Sequence, residues 1–496
     1  MKRLSFLLVF ILALPIFLFG CNNNEFENLS TYTMDCVYDE QNHTLTCSQT
    51  LNYYNNTDNA LNKLKFFLYA NAFNEGNSVV STSSFDKAYP NGASYGGIEV
   101  KGVTCNDTDT EFVVEGDKNS ILTVVLPSEI YPDENVEICL DYTITLANIN
   151  HRLGYGENTI NFGNFYPIVC VYENGFVENK FVSNGDPFYS DIANYNVQIT
   201  YNEKYTMASS GDVVDEKIEN GRKTTSIKGE KLRDFCFVLS EKFQKASNTV
   251  DGVTVNYYYY DDENYEENLT LSCQVLQEFS NMFGEYPYKT LNVVKTSFCF
   301  GGMEYPNLVY ISDAVTDEET YRYVIVHELA HQWWYSLVGN NEYQEAWLDE
   351  SLTEYSTALF FEKHGEYGLD YKNIISGAEN TYRLFVDVYS EINGDVDESM
   401  NRNLSEFNTE PEYVNCVYTK GVLLYDNLRQ TLGEAKFMKC LKEYFESYCY
   451  KNANSGDLIA SFSKTAKIDL EGFFNAFLNG EVILDNWFCF YKNKLA

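Results

Sequence analysis

The run His327-Glu328-Leu329-Ala330-His331 constrains this chain more than any other five residues. In an α-helix each residue advances about 100°, so positions i and i+4 share a face. His327 and His331 therefore direct two imidazoles at one point, with Glu328 between them. The surroundings read as helix. Thr316-Asp317-Glu318-Glu319 offers a capping box, and Val324, Leu329, Ala330, Trp333 and Leu337 recur at helical spacing. Gly339-Asn340-Asn341 stops the run. A return helix begins near Trp347 and carries Glu350; eighteen residues, 332 to 349, separate His331 from that carboxylate. Helix, short loop, helix brings side chains from both elements to one cleft.

Two imidazoles and a carboxylate are the donors of a catalytic zinc site that keeps a position open for water. His327, His331 and Glu350 are therefore expected to hold one zinc ion per chain. Glu328 is placed to take the proton of that water as general base. The chemistry implied is metal-dependent hydrolysis, most often of a peptide bond. Only five histidines occur in the chain (His43, His151, His327, His331, His364), and two of them form this pair. Glu354 falls one turn after Glu350, where it can accept the free N–H of a ligating histidine; its alternative is a solvated helix charge.

HELAHQWW (327–334) followed by WLDESLTEY (347–355) resembles the aminopeptidase N family of zinc peptidases, the gluzincins whose pattern is HExxH, eighteen residues, then Glu. Gly301-Gly302-Met303-Glu304-Tyr305 is similar to that family's GxMEN exopeptidase motif, and Val417-Tyr418-Thr419-Lys420-Gly421 to its tyrosine-x-lysine-glycine segment. Weaker likeness runs through Gly185-Asp186-Pro187-Phe188-Tyr189-Ser190-Asp191 and Phe283-Gly284-Glu285-Tyr286-Pro287-Tyr288, so the resemblance spans roughly 160 to 440. It implies that Glu304 pairs with the free α-amine of a peptide substrate. It also implies that Gly301, Gly302 and Met303 let the peptide lie alongside as an added strand, and that Tyr418 donates a hydrogen bond to the oxyanion; Tyr413 competes for that role. This chain departs from the pattern at Tyr305, where the family has Asn, and at Asp349 and Ser351, where it has Asn and Gly. Larger members carry a further C-terminal helical domain. The 78 residues after Tyr418 are too few for one, so a short version with an open cleft is expected.

The expected class is α+β and multidomain: an N-terminal antiparallel, saddle-like β domain over 22–247, then a thermolysin-like, mainly helical catalytic domain over 248–496. Alternating runs such as Tyr195-Asn196-Val197-Gln198-Ile199-Thr200-Tyr201 between Asn, Gly and Asp turns carry the first part. In the second, strands are predicted at 255–260 and 291–295, and helices at 269–283, 422–432, 435–448 and 458–467. A formal net charge of −37 argues against nucleic acid as a partner.

The first 21 residues read as a bacterial lipoprotein signal. Lys2 and Arg3 precede an apolar run from Leu4 to Phe19, then Gly20 and Cys21, then Asn22-Asn23-Asn24. The run is short for a membrane span and Pro15 interrupts it. Cys21 is the expected lipidated mature N-terminus, which would anchor the chain to the outer face of a bacterial cell membrane. Of the 13 cysteines none forms a CxxC pair, so a cysteine metal site is not expected. Cys36 and Cys47 could face each other across a hairpin, as a disulfide or as buried free thiols. Two other functions remain open at this stage: a thermolysin-like endopeptidase on the same zinc site, and a surface lipoprotein that binds peptides without turnover.

Overall fold

The computed structural model describes residues 28–481 except Ser78 and Asp395; the leader and Cys21 lie outside the described residues. The first part is β throughout. An eight-stranded sheet runs in the spatial order Asp212–Glu219, Arg222–Leu232, Ala193–Asn202, Thr31–Asp39, Thr44–Tyr54, Asn135–Thr145, Gly97–Cys105, Thr108–Asp109. Strand side chains alternate faces. Tyr32, Met34, Cys36 and Tyr38 accordingly point inward from the first strand, and Leu45, Cys47, Gln49, Leu51 and Tyr53 from the second. Two four-stranded sheets complete this part. The sequence reading of a purely antiparallel region needs one correction, because Thr31–Val37 pairs in parallel with Asn194–Thr200. Parallel neighbours require a long crossover, and here the intervening chain builds one of the smaller sheets whole and two strands of the other.

A five-stranded sheet then positions the site. Its order is Gln244–Val250, Val253–Tyr259, Thr290–Thr296, Leu308–Ser312, Gly302–Met303, parallel in the middle and antiparallel at both edges. It begins at Gln244, slightly ahead of position 248. Both faces are buried. Tyr257, Tyr259, Val293, Val309 and Ile311 face the helices, whereas Tyr258, Tyr260, Val294, Leu308 and Tyr310 join the core of the β region. The run of four tyrosines at 257–260 thus splits two and two between cores.

The helices are Tyr265–Met282, Glu318–Ala330, Trp347–Lys363, Tyr371–Asn393, Lys420–Leu432, Glu434–Tyr448, Ser455–Ala466 and Glu471–Leu478, with shorter turns between. The helix at 318–330 is capped by Asp317, which accepts from Thr320 N, rather than by a box on Thr316. The helix Tyr371–Asn393 has no counterpart in the sequence reading. It is strongly amphipathic, with Tyr382 and Phe385 buried, while Leu384 and Ile392 are 64% and 72% exposed. Among the described residues no helix is long and apolar enough to cross a membrane.

Tyr305 points away from the helices into the β region. Its hydroxyl donates to Asn164 Oδ1 at 2.6 Å, and it occupies the space a side chain at Gly163 would need, since a Cβ there would meet the phenol oxygen at 2.0 Å. The departure at 305 therefore fastens the Gly-Gly-Met-Glu segment to the β region, with its ring outside the cleft.

Candidate active site

Two helices and one strand edge converge here. Glu318–Ala330 supplies His327 and Glu328, and His331 caps it; Trp347–Lys363 supplies Glu350 and Glu354; the edge strand Gly302–Met303 precedes Glu304. His327 Nε2 and His331 Nε2 lie 3.2 Å apart, and Glu350 Oε2 is 3.4 Å from the first and 3.3 Å from the second. A tetrahedral ion bonded at about 2.0–2.1 Å has ligand atoms about 3.3–3.4 Å apart. The triangle has those edges, and Glu350 Oε2 makes no hydrogen bond. The donor set fits one tetrahedral cation.

Each imidazole is held from behind. His331 Nδ1 lies 2.9 Å from the Trp334 carbonyl, which accepts its N–H, and 3.1 Å from Thr353 Oγ1; this leaves Nε2 free as a donor atom. His327 Nδ1 lies 3.3 Å from Glu354 Oε1, within ion-pair reach though outside hydrogen-bond geometry. Tyr323 fixes the other oxygen of Glu354. Burial disfavours charge on both rings, but the surrounding carboxylates win, holding His327 well above its usual range and His331 at about 10. Burial also opposes the charge of Glu350, yet His331 and His327 push its pKa far down.

Glu328 is 5% exposed, and its Oε2 has no partner. Burial raises its pKa to about 7, with the two histidines opposing, which suits a group that must both take and return a proton. It lies directly over Gly302, where a Cβ would sit 2.4 Å from Oε1. The second glycine of the strand edge is therefore required by the close approach of Glu328.

Glu304 is 3% exposed with Oε1 unpartnered, and burial holds its pKa well up against the pull of His331. Gln332, the neighbour of His331, fixes the backbone beside it: Nε2 donates to the Tyr305 carbonyl at 3.2 Å, and Oε1 accepts from Asn307 N at 3.0 Å. Asp186, which the sequence reading quoted without a role, reaches the same point from the β region. Carboxylate oxygens of Asp186, Glu304 and Glu350 lie within 4.8 Å of one another. Asp186 is ion-paired to buried Arg152, whose Nε donates to Met303 Sδ. Only the Gly-Asp-Pro likeness signalled Asp186; nothing in sequence spacing signalled Arg152 or Gln332.

Tyr418 sits on a π-turn, Asn415–Thr419, between a short helix and Lys420–Leu432. Such turns are rare and cluster at functional sites. Its hydroxyl donates to Glu350 Oε1, and the Tyr413 hydroxyl is 3.4 Å away. Ser351 Oγ donates to the Val417 carbonyl at 2.7 Å and tethers the turn. A Cβ at Gly421 would meet Ser351 Oγ at 2.3 Å, so that glycine makes room for the serine standing where the family has Gly. Asp349 is buried beside Glu350 and accepts from Asn340 Nδ2 at 2.7 Å. All these groups line or back a cleft of about 460 Å³. A groove of about 490 Å³ near Lys228–Lys231 and Tyr288 contains no histidine.

A family model described as the Peptidase family M1 domain matches residues 267–477. Among curated relatives, leucine aminopeptidase 2-1 of Meyerozyma guilliermondii is 28% identical over 194 residues, 37% of this chain and 30% of that protein. Aminopeptidase N of Lactococcus lactis subsp. lactis is 26% identical over 231 residues, 44% of this chain and 26% of that protein. The chain thus spans about a third or less of the length of these relatives. An M1 zinc metallopeptidase from Deinococcus radiodurans superposes with a TM-score of 0.66 at 16% identity, covering 92% of this chain and 95% of its own. A mutant of that protein bound to a Tyr-Ser-Ala substrate superposes at 0.67.

The geometry separates metal binding from proton transfer, because Glu328 contributes no corner of the donor triangle. Glu328→Gln should keep one metal ion per chain by elemental analysis and lose hydrolytic turnover by several orders of magnitude. Loss of the metal alongside turnover would make Glu328 a ligand instead.

Proposed function

We propose that the chain, whose residues 267–477 match the Peptidase family M1 domain, is a zinc aminopeptidase, releasing the N-terminal residue of peptides by hydrolysis. The observation that carries this reading is the juxtaposition of the donor triangle with Glu304, a buried carboxylate with a free oxygen at the end of an open strand edge. His327, His331 and Glu350 would hold one zinc ion, which when bound supplies Lewis acidity toward the scissile carbonyl and toward water.

The chain's own residues do the rest. The unpaired edge of Gly302–Met303 offers backbone groups for an extended peptide to add as a strand. Glu304, backed by Asp186, meets the substrate α-ammonium and fixes one residue ahead of the cut. Glu328 accepts a proton from the attacking water and returns it to the leaving amine. The Tyr418 hydroxyl stands between Glu350 and Tyr413 and donates to the oxygen that gains charge, an electrostatic role commonly worth about 3 kcal/mol.

Removing a desolvated charge partner costs about 2–5 kcal/mol. Glu304→Ala should therefore lower kcat/KM for free-amine peptides roughly 30-fold or more, at about 1.36 kcal/mol per decade. N-acetylated versions of the same peptides should be poor substrates whose turnover hardly changes. Equal cleavage of both forms by wild type, slowed equally in the variant, would make this an endopeptidase. No cleavage of either form by the zinc-loaded wild type would make it a peptide-binding protein.

For location, we infer from the Lys2-Arg3 start, the apolar run and Gly20-Cys21 that Cys21 is lipidated and tethers the enzyme to the outer face of a bacterial membrane. Cys21→Ser should release active protein from the membrane fraction or leave an unprocessed precursor. Unchanged attachment with normal processing would refute the anchor.

A further inference from the structure

Cys36 and Cys47 belong to no part of the cleft. They are direct partners across the antiparallel strands Thr31–Asp39 and Thr44–Tyr54. Opposed residues in such a pair hold their Cα atoms about 4.5–5.5 Å apart, inside the span of about 4.4–6.8 Å that a disulfide bridges. Both side chains point into the β core, at 0% and 2% exposure. Their sulfurs are 2.8 Å apart. Unbonded carbon atoms settle at about 3.5–4.0 Å, and sulfur is larger; two thiols at this separation are pressed together. Other cysteines have different neighbours: Cys139 lies beside Thr50 Oγ1, Cys416 beside the Asp397 carbonyl and Cys440 beside the Phe462 carbonyl. A metal is a poor occupant of the pair, because burial holds the Cys36 thiol well above the range in which it would ionise.

We propose that Cys36 and Cys47 are joined by a disulfide that closes the first β-hairpin. Two S–H bonds break and one S–S bond forms. The two protons and two electrons end on the sulfurs of a disulfide oxidant of the export compartment, which leaves as its dithiol form. Exchange takes place while the hairpin is still accessible, because the packed core leaves neither sulfur open to attack. The bond encloses a loop of ten residues, 37 to 46, and restricts the unfolded chain accordingly. Thr31–Asp39 is central in the eight-stranded sheet, paired on both sides. Among the described residues it is also the first strand, so a pull through an anchored N-terminus would reach it before the other described strands. The disulfide itself does not depend on the enzymatic reading.

The test uses the full chain exported to an oxidising periplasm, quenched in acid and alkylated in denaturant. A protease that cuts after glutamate separates the two cysteines at Glu40. The expected product is a pair of peptides joined through Cys36 and Cys47, two hydrogens lighter than their sum, that separates on reduction. Alkyl groups on both cysteines, or either one linked to a different cysteine, would overturn the proposal. A Cys36→Val/Cys47→Val double variant gives a second readout that keeps the core apolar. Reductant should lower the unfolding temperature of the wild type by several degrees and leave the double variant unchanged. An equal shift in both proteins would also overturn it.

Discussion

Burying several like charges in one cleft is the constraint around which this structure is arranged. Asp186, Glu304, Glu328, Glu350 and Glu354 converge on two imidazoles, with Arg152 as the buried cation opposite. Unpaired buried charge is among the costliest states a protein can hold. That cost is lowered where burial raises the pKa of Glu328 to about 7 and where Glu350 and Glu354 face the imidazoles. A divalent cation at the triangle and a substrate ammonium at Glu304 would each relieve it more directly. Glu304 Oε1, Glu328 Oε2 and Glu350 Oε2 are among the buried oxygens that have no hydrogen-bond partner.

Holding these groups together requires close packing at three glycines. Gly302 gives way to Glu328, Gly421 to Ser351 and Gly163 to Tyr305. The last two accommodate positions at which the chain departs from the family pattern. Ser351 turns its extra bulk into a tether on the π-turn that carries Tyr418, and Tyr305 turns its into an anchor in the core of the β region. Both departures change what supports the site and leave its donor atoms in place.

Much of the site was legible because it is local. HExxH lies within one helix, Glu350 and Glu354 lie one turn apart on the next, and helical periodicity places them without further information. The short strands of the β region were equally readable from their alternation. What escaped is mostly non-local. Arg152 and Asp186 arrive from the β region, more than a hundred residues upstream of the helices. The parallel pairing of Thr31–Val37 depends on a crossover that no local pattern encodes. The helix Tyr371–Asn393 has no counterpart in the sequence reading although its apolar residues keep mostly to one side; nothing in the structure explains the omission. The π-turn at Asn415–Thr419 leaves no residue signature beyond the Tyr-x-Lys-Gly likeness.

The central claim is that His327, His331 and Glu350 act as one zinc site. Elemental analysis of purified wild type and His331→Ala, each dialysed against the same trace of zinc, tests it most directly. The account predicts one zinc per wild-type chain and near-complete loss in the variant, with the fold retained by circular dichroism. A variant that keeps stoichiometric zinc, or a wild type fully active without any metal, would contradict it.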